Sequence, residues 1–240
     1  MAKPFKIKIF YLANYLYNYL FFLYKPFYFF YKTISDKEKI EFIKKNIKPG
    51  MIVLDIGANI GFYTVLLSKI VGEGGQVFAF EPDEKNYIFL RHNTKKLNNV
   101  AIFRLAVGEV SKKIRLYLSD NLNVDHQVYD IGENRKFVEV ECVAIDDFLS
   151  EDKIIDFIKI DIQGYEYFAL LGMKNIIERS KQMYFISEIW PFGLKKSGAD
   201  TEKYLNLIKN YGINISSQLP LGCAVNQENK NYYFDIYGKK

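Results

Sequence analysis

The chain has 240 residues, 49% of them hydrophobic and 25% charged, which describes a folded globular protein rather than a disordered one. Its two cysteines, Cys142 and Cys223, and two histidines, His92 and His126, are too few for a disulfide framework, a cysteine zinc site or a histidine-rich metal centre. The net charge of +5 is unevenly placed: residues 1–35 hold five lysines and no acid, which leaves 28 basic residues against 28 acids in residues 36–240.

The same first 35 residues carry 14 of the 40 aromatic side chains. Ile9 to Tyr24 runs without a charge, short of the ~20 apolar residues that a spanning helix needs. Lys25 and Pro26 interrupt it, and FYFFY follows as a second short helix. Asn14, Asn18 and Lys25 fall on one helical face beside Tyr11 and Tyr15, giving an amphipathic helix with a narrow polar stripe. No small-residue cleavage site follows a short apolar core, so a secretory signal peptide fits poorly. Three readings stay open: a helix packed on the catalytic domain, an interfacial anchor with lysines toward anionic lipid, and a membrane span.

Residues 36–48 read as a surface helix capped by Ser35 or Asp36, with Ile40, Phe42, Ile43 and Ile47 inward. Strands then alternate with helices. MIVLDI (51–56), QVFAFE (76–81), VAIFRLAV (100–107) and IIDFIKID (154–161) are continuous apolar runs of the kind buried in parallel sheets. Helices are expected at about 60–71, 83–97, 164–178 and 201–211, with a further strand at 183–189. KKIRLYL (112–118) and KFVEVECV (136–143) alternate like half-exposed antiparallel strands around an irregular polar stretch, 119–135. Short strands near 213–217, 222–226 and 232–237 end the chain. The pattern predicts one α/β domain over 36–240, with a cofactor half at 50–107, a hairpin insertion at 108–150 and a second half at 151–240, preceded by the segment 1–35.

Asp55-Ile56-Gly57-Ala58-Asn59-Ile60-Gly61 ends the first parallel strand and opens a helix. Ligands bind doubly wound sheets at such a switch point. Asn59 stands where a dinucleotide fingerprint has its middle glycine, and no Gly-Lys-Ser/Thr follows, so neither a pyrophosphate nor a triphosphate is indicated. Asp55 suits a cationic ligand such as an amino-acid ammonium. Glu81, 20 residues beyond Gly61, ends the second strand where a carboxylate accepts from vicinal ribose hydroxyls. A nucleoside bearing an amino acid and no pyrophosphate matches S-adenosylmethionine.

The stretches VLDIGANIGFYTVLLSKI (53–70), FAFEPDEKNYIFLRHN (78–93), LAVGEVSKKIRLYL (105–118), VAIDDFL (143–149), FIKIDIQGYEYFALLGM (157–173) and ISEI (186–189) resemble, in order and spacing, the FkbM family of class I S-adenosylmethionine-dependent methyltransferases. The resemblance covers residues 50–190. It implies a Rossmann-like, mostly parallel seven-stranded sheet with an antiparallel last strand, and S-adenosylmethionine held by Asp55, Gly57, Ala58, Asn59, Gly61 and Glu81, with Ala106 near the adenine. The family usually has an acid where this chain has Gln163.

Methyl transfer needs a nucleophile aligned with the sulfonium methyl and, for a hydroxyl, a base for its proton. Asp161, at the end of the fourth parallel strand, is expected to face the methyl group. Glu166 follows at a helix N-terminus, which favours its charged form. His126, with an ordinary pKa near ~6.5, is a proton-relay candidate. Asp161, Glu166 and Glu188 offer oxygen ligands for Mg²⁺, but their spacing does not define a site and no metal is assigned. Trp190 and Phe192 are candidates for a substrate wall or for core packing.

The resulting expectation is a cytoplasmic methyltransferase acting on a hydroxyl of a sugar, glycolipid or secondary metabolite. It would sit at the inner face of a membrane if residues 1–35 are an anchor. An RNA methyltransferase is disfavoured by the formally neutral domain. The third reading is a non-catalytic, membrane-tethered cofactor-binding adaptor.

Overall fold

The structure, a computed structural model, describes residues 12–119, 125–216 and 228–240. A seven-stranded sheet forms the centre. Its strands are β1 (Ile52–Ile56), β2 (Gln76–Phe80), β3 (Val100–Phe103), β7 (Phe157–Ile160), β8 (Tyr184–Ile189), β9 (Asn214–Ile215) and β10 (Phe234–Lys239). They lie in the order β3-β2-β1-β7-β8-β10-β9. The first five are parallel, and β10 runs antiparallel to β8 and β9. This is the class I methyltransferase sheet that the sequence resemblance implies.

The apolar runs become central strands because both faces are covered. Leu54, Ile56, Phe80, Ile158 and Ile160 pack into one core, which Tyr204 and Ile208 also join. Val53, Val77 and Phe157 point to the other, against Ile43, Tyr63 and Leu67. Helices α3 (Lys37–Asn46) and α4 (Phe62–Val71) supply the covering residues of that second face. Helices α5 (Glu84–Thr94) and α10 (Thr201–Asn210) begin with carboxylate caps, Asp83 accepting from the Asn86 amide and Asp200 from that of Lys203.

The insertion is a three-stranded sheet of β4 (Ala106–Val107), β5 (Lys112–Tyr117) and β6 (Phe137–Val143), with β5 and β6 antiparallel. The helix expected at 164–178 is two short ones, α7 (Glu166–Leu171) and α8 (Lys174–Arg179). They part where Gly172 lies so close to the Gly108 carbonyl that a Cβ would stand 2.0 Å from its oxygen. Between β7 and α10 the chain also forms α9 (Pro191–Ser197), which the sequence reading did not expect. The strand expected at 222–226 lies outside the described residues.

The amino-terminal segment differs from expectation in where it breaks. Helix α1 (residues 12–19) ends at Leu20, which has φ −135° and ψ 52°. Helix α2 (Phe21–Ser35) then runs straight through Pro26. The bend lets both helices lay aromatic side chains on the domain. Tyr17 donates to Asn86 Oδ1 at 2.7 Å, Phe21 stacks on Phe89 at 3.4 Å, and Tyr17 and Tyr24 bury Ile60. Of the stripe of Asn14, Asn18 and Lys25, Asn18 also meets the domain, accepting from Lys85. Asp36 joins α2 to α3 but caps neither with its side chain. Its carboxylate instead takes Lys32, Ser35 and the Tyr63 hydroxyl.

Candidate active site

A cavity of about 1450 Å³ opens at the carboxyl edge of the parallel strands. Its floor is the turn after β1 and the ends of β2, β7 and β8, and the inner faces of α1 and α2 form its roof. Gly57, Asn59, Glu81, Ala106, Asp161 and His126 line it.

The β1 turn owes its shape to residues with little or no side chain above φ 0. Gly57 has φ +77°, and a Cβ there would lie 1.9 Å from the Asp161 carbonyl oxygen, so the turn touches the end of β7 only because the position is glycine. Asn59 has φ +51°, a conformation that asparagine tolerates better than most residues. Gly57 and Ala58 donate their amides to the Phe80 carbonyl, which ties the turn to β2. Ala58 packs with Ala79 and Leu90, and Gly61 lies against Leu90, so these two support the turn from below rather than lining the cavity.

Asp55 also stands behind the turn, contrary to its expected role as partner for a cationic ligand. Strand alternation sends its side chain to the Val53 side of the sheet, under α4. There it accepts from Thr64 at 2.6 Å and pairs with Lys159 at 3.2 Å. Lys159 also donates to the Gly57 carbonyl at 3.0 Å. The protein thus supplies the cation itself.

Glu81 faces the cavity. One carboxylate oxygen accepts from the Asn59 amide at 2.8 Å and the other from the Asp83 amide at 3.0 Å. Burial raises its pKa to about 7, the Asp83 charge adding to the shift and the two backbone hydrogen bonds opposing it. The Asn86 side chain donates to it as well, and a carboxylate has about four acceptor positions, so these three donors leave room for a hydroxyl of a ligand.

The opposite wall carries acids at the ends of three neighbouring strands: Asp161 after β7, Glu188 in β8 and Asp235 in β10, with Glu188 and Asp235 in direct register. The Gln163 amide bridges Asp161 at 3.2 Å and Glu188 at 3.1 Å. Lys39, from α3, pairs with Asp235 at 2.8 Å. Burial opposes charge on Asp161, but Lys159, Lys39 and Lys32 outweigh it and hold its carboxyl below the usual range. Burial and the Asp161 charge hold Glu188 well above that range. Two neighbouring carboxyls are thereby pushed in opposite directions, Asp161 toward its ionised and Glu188 toward its protonated form.

Glu166 does not reach the cavity. It is fully buried, and one oxygen accepts from the amides of Ile162 and Gly164, both at 3.0 Å. Burial raises its pKa to about 7. It holds the turn in which Gln163 adopts φ +55°, and so aims the Gln163 amide. His126 lies on the Glu81 side, away from the acids. Its Nδ1 accepts the Ser119 amide at 3.0 Å, and its Nε2 is 3.9 Å from Asp83. Burial lowers its pKa. With Nδ1 occupied, it has no free acceptor nitrogen for a proton relay. Among the described residues, no three His, Cys, Asp or Glu side chains converge as metal ligands.

Lys39, Asp235, Lys159 and the aromatic roof of Tyr24, Tyr28 and Tyr31 escaped the sequence reading. A lysine inside the otherwise apolar strand FIKI was the visible signal for one of them. Trp190 belongs to the wall, donating its indole N–H to the Lys230 carbonyl at 3.0 Å, whereas Phe192 packs beside it.

Residues 55–214 match the methyltransferase FkbM domain. The 2-O-methyltransferase NoeI of Sinorhizobium fredii is 26% identical over 170 residues, spanning 63% of this chain and 69% of its own. The ribosomal RNA large subunit methyltransferase E of Bdellovibrio bacteriovorus is 32% identical over 78 residues, 30% of this chain and 40% of its own. The solved structure of Streptococcus mutans SMU.1697c, in complex with SAH, superposes with a TM-score of 0.52 at 16% identity, covering 85% of this chain and 96% of that one. The last is a likeness of fold.

Proposed function

Given that the chain belongs to the FkbM methyltransferase family and is an S-adenosylmethionine-dependent enzyme, we propose that its acceptor is a hydroxyl oxygen of a sugar, glycolipid or secondary metabolite. The observation that carries this reading is the pair of carboxyls side by side on the cavity wall, Asp161 and Glu188, bridged by the Gln163 amide, with lysines holding the first below and burial holding the second above the usual carboxylate range.

The residues present fit the cofactor. Glu81 is a buried carboxylate facing the cavity, with room beside its three protein donors for a ribose hydroxyl. Gly57 and Asn59 form the adjoining wall, and Ala106 offers a small apolar surface for the adenine. When bound, the cofactor supplies a methyl group already activated by its sulfonium charge.

The protein then has to align the acceptor, exclude water and take one proton. Asp161 accepts the proton of the acceptor hydroxyl. Its low pKa makes it a weak base, which suffices because an oxygen gaining a methyl group becomes strongly acidic. Lys39 and Lys159 keep it ionised, and Gln163 fixes its orientation. Glu188, protonated, donates a hydrogen bond to oxygens of the acceptor. The roof of α1 and α2 closes the cavity over these groups.

An RNA acceptor is disfavoured by the charge balance of residues 36–240, whose 28 basic residues are matched by 28 acids and offer a polyanion no excess of positive charge. The 2-O-methyltransferase relative adds support for an oxygen acceptor. The test is incubation of the purified protein and labelled S-adenosylmethionine with cell extract fractionated into lipid, glycan and RNA. Label is expected in the glycan or lipid fraction, and label confined to RNA overturns the proposal.

A further inference from the structure

Helices α1 and α2 have two faces of different character. Their inner faces pack on the domain through Tyr17, Phe21, Tyr24 and Phe29. Their outer faces are also apolar. Tyr19 is 73% exposed, Phe22 71%, Phe30 67% and Ile34 63%. On α2 the exposed positions 22, 23, 26, 27, 30, 33 and 34 fall on one side at helical spacing, and none carries a charge. An apolar face of this kind on a chain in water marks an interaction site.

We propose that this outer face docks on an anionic lipid bilayer. Charge selects the occupant. The first 35 residues contain Lys3, Lys6, Lys8, Lys25 and Lys32 and no acid, and three of those lysines precede Leu12 by only four to nine residues in the chain. A second copy of the chain has no acid in this segment to meet those lysines. Anionic headgroups supply the opposite charge over an extended surface.

The composition suits the depth of an interface. Tyr15, Tyr19 and Tyr31 present a polar tip beside Phe22, Phe30 and Ile34, the arrangement of a helix lying at the headgroup boundary. Among the described residues no helix is long and apolar enough to cross a membrane. The break at Leu20 and the packing of the inner faces both favour a helix pair lying in the plane. Phe27 and Tyr31 sit at once on the exposed side of α2 and at the mouth of the cavity, so docking brings that mouth to the lipid surface. This holds whichever hydroxyl is methylated.

The experiment is co-sedimentation of the full-length protein with phosphatidylcholine vesicles and with vesicles containing one third phosphatidylglycerol. The triple variant Phe22→Ser, Phe30→Ser, Ile34→Ser is run alongside. None of these three side chains lines the cavity, and S-adenosylhomocysteine binding reports that the variant is folded. The expected result is pelleting with the anionic vesicles, weakened by salt, and at least roughly tenfold weaker for the variant at unchanged S-adenosylhomocysteine affinity. The proposal is overturned by full-length protein that stays in the supernatant with both vesicles, by a variant that pellets as well as the parent, or by a dimer in solution that the variant dissociates.

Discussion

Asp55 and Lys159 are register partners on adjacent parallel strands, and their side chains meet as an ion pair hidden beneath the cofactor turn. Both are buried, at 0% and 3% exposure, so neither side chain reaches water. The pair also anchors the turn, because the Lys159 ammonium reaches the Gly57 carbonyl.

Removing one partner should therefore cost much more than removing both. Lys159→Met leaves Asp55 ionisable and unpaired in the core, with an expected loss of about 3–5 kcal/mol. The double variant Asp55→Leu, Lys159→Met should recover most of that stability. Its cofactor affinity should nevertheless remain lowered, because nothing then ties Gly57 to β7. Urea unfolding and calorimetric titration with S-adenosylhomocysteine would measure the two effects separately. Equal stability of the single and double variants would show that the pair is not coupled.

Cofactor affinity should rise with pH through neutrality. In the free protein Glu81 has a pKa of about 7. On the proposed reading a ribose hydroxyl donates to its ionised form, so binding competes with the proton. Affinity for S-adenosylhomocysteine should fall by up to about tenfold per unit below pH 7 and level off above it. Stability of the unliganded protein runs the other way. A carboxyl whose folded pKa is raised stabilises the fold fully below its unfolded value of 4.5, and that contribution is lost as pH rises through about 7. It amounts to about 3 kcal/mol for a shift of this size. Glu81→Gln should flatten the pH dependence of binding, and a profile unchanged by that substitution would contradict the assignment.

The acid wall predicts unequal effects of two similar substitutions. Asp161→Asn removes the ionised proton acceptor and should lower kcat by about 10²–10⁴-fold while S-adenosylhomocysteine still binds. Glu188→Gln replaces a carboxyl that burial and the Asp161 charge push toward its protonated form by an amide of the same shape, and should lower kcat by about tenfold or less. Steady-state kinetics on the acceptor identified by fractionation would compare them. Larger loss in Glu188→Gln than in Asp161→Asn would reverse their roles.

The sequence by itself determined the sheet and the family. Continuous apolar runs made central strands because a strand covered on both faces has no polar side to show. The order of the motifs fixed the family, and Gly57, Asn59 and Glu81 could be located because a tight βα turn and a strand-end carboxylate are local features. Asp161 was legible for the same reason, as the last residue after an apolar run.

What only the tertiary structure decided concerns direction and partnership. Glu166 sits in a motif beside Asp161, yet its carboxylate is spent on the Ile162 and Gly164 amides, and His126 folds to the Glu81 side. Asp55 carries the same charge as Asp161 but points to the other face of the sheet, where Lys159, 104 positions away in sequence, neutralises it. Lys39 and Asp235 join the site from α3 and β10 because antiparallel pairing brings Asp235 opposite Glu188. The amino-terminal segment, read as a packed helix, an interfacial anchor or a membrane span, has one apolar face on the domain and another in the open. Periodicity reports how apolar a helix is around its circumference. Which side finds a partner depends on surfaces contributed by residues remote in the chain.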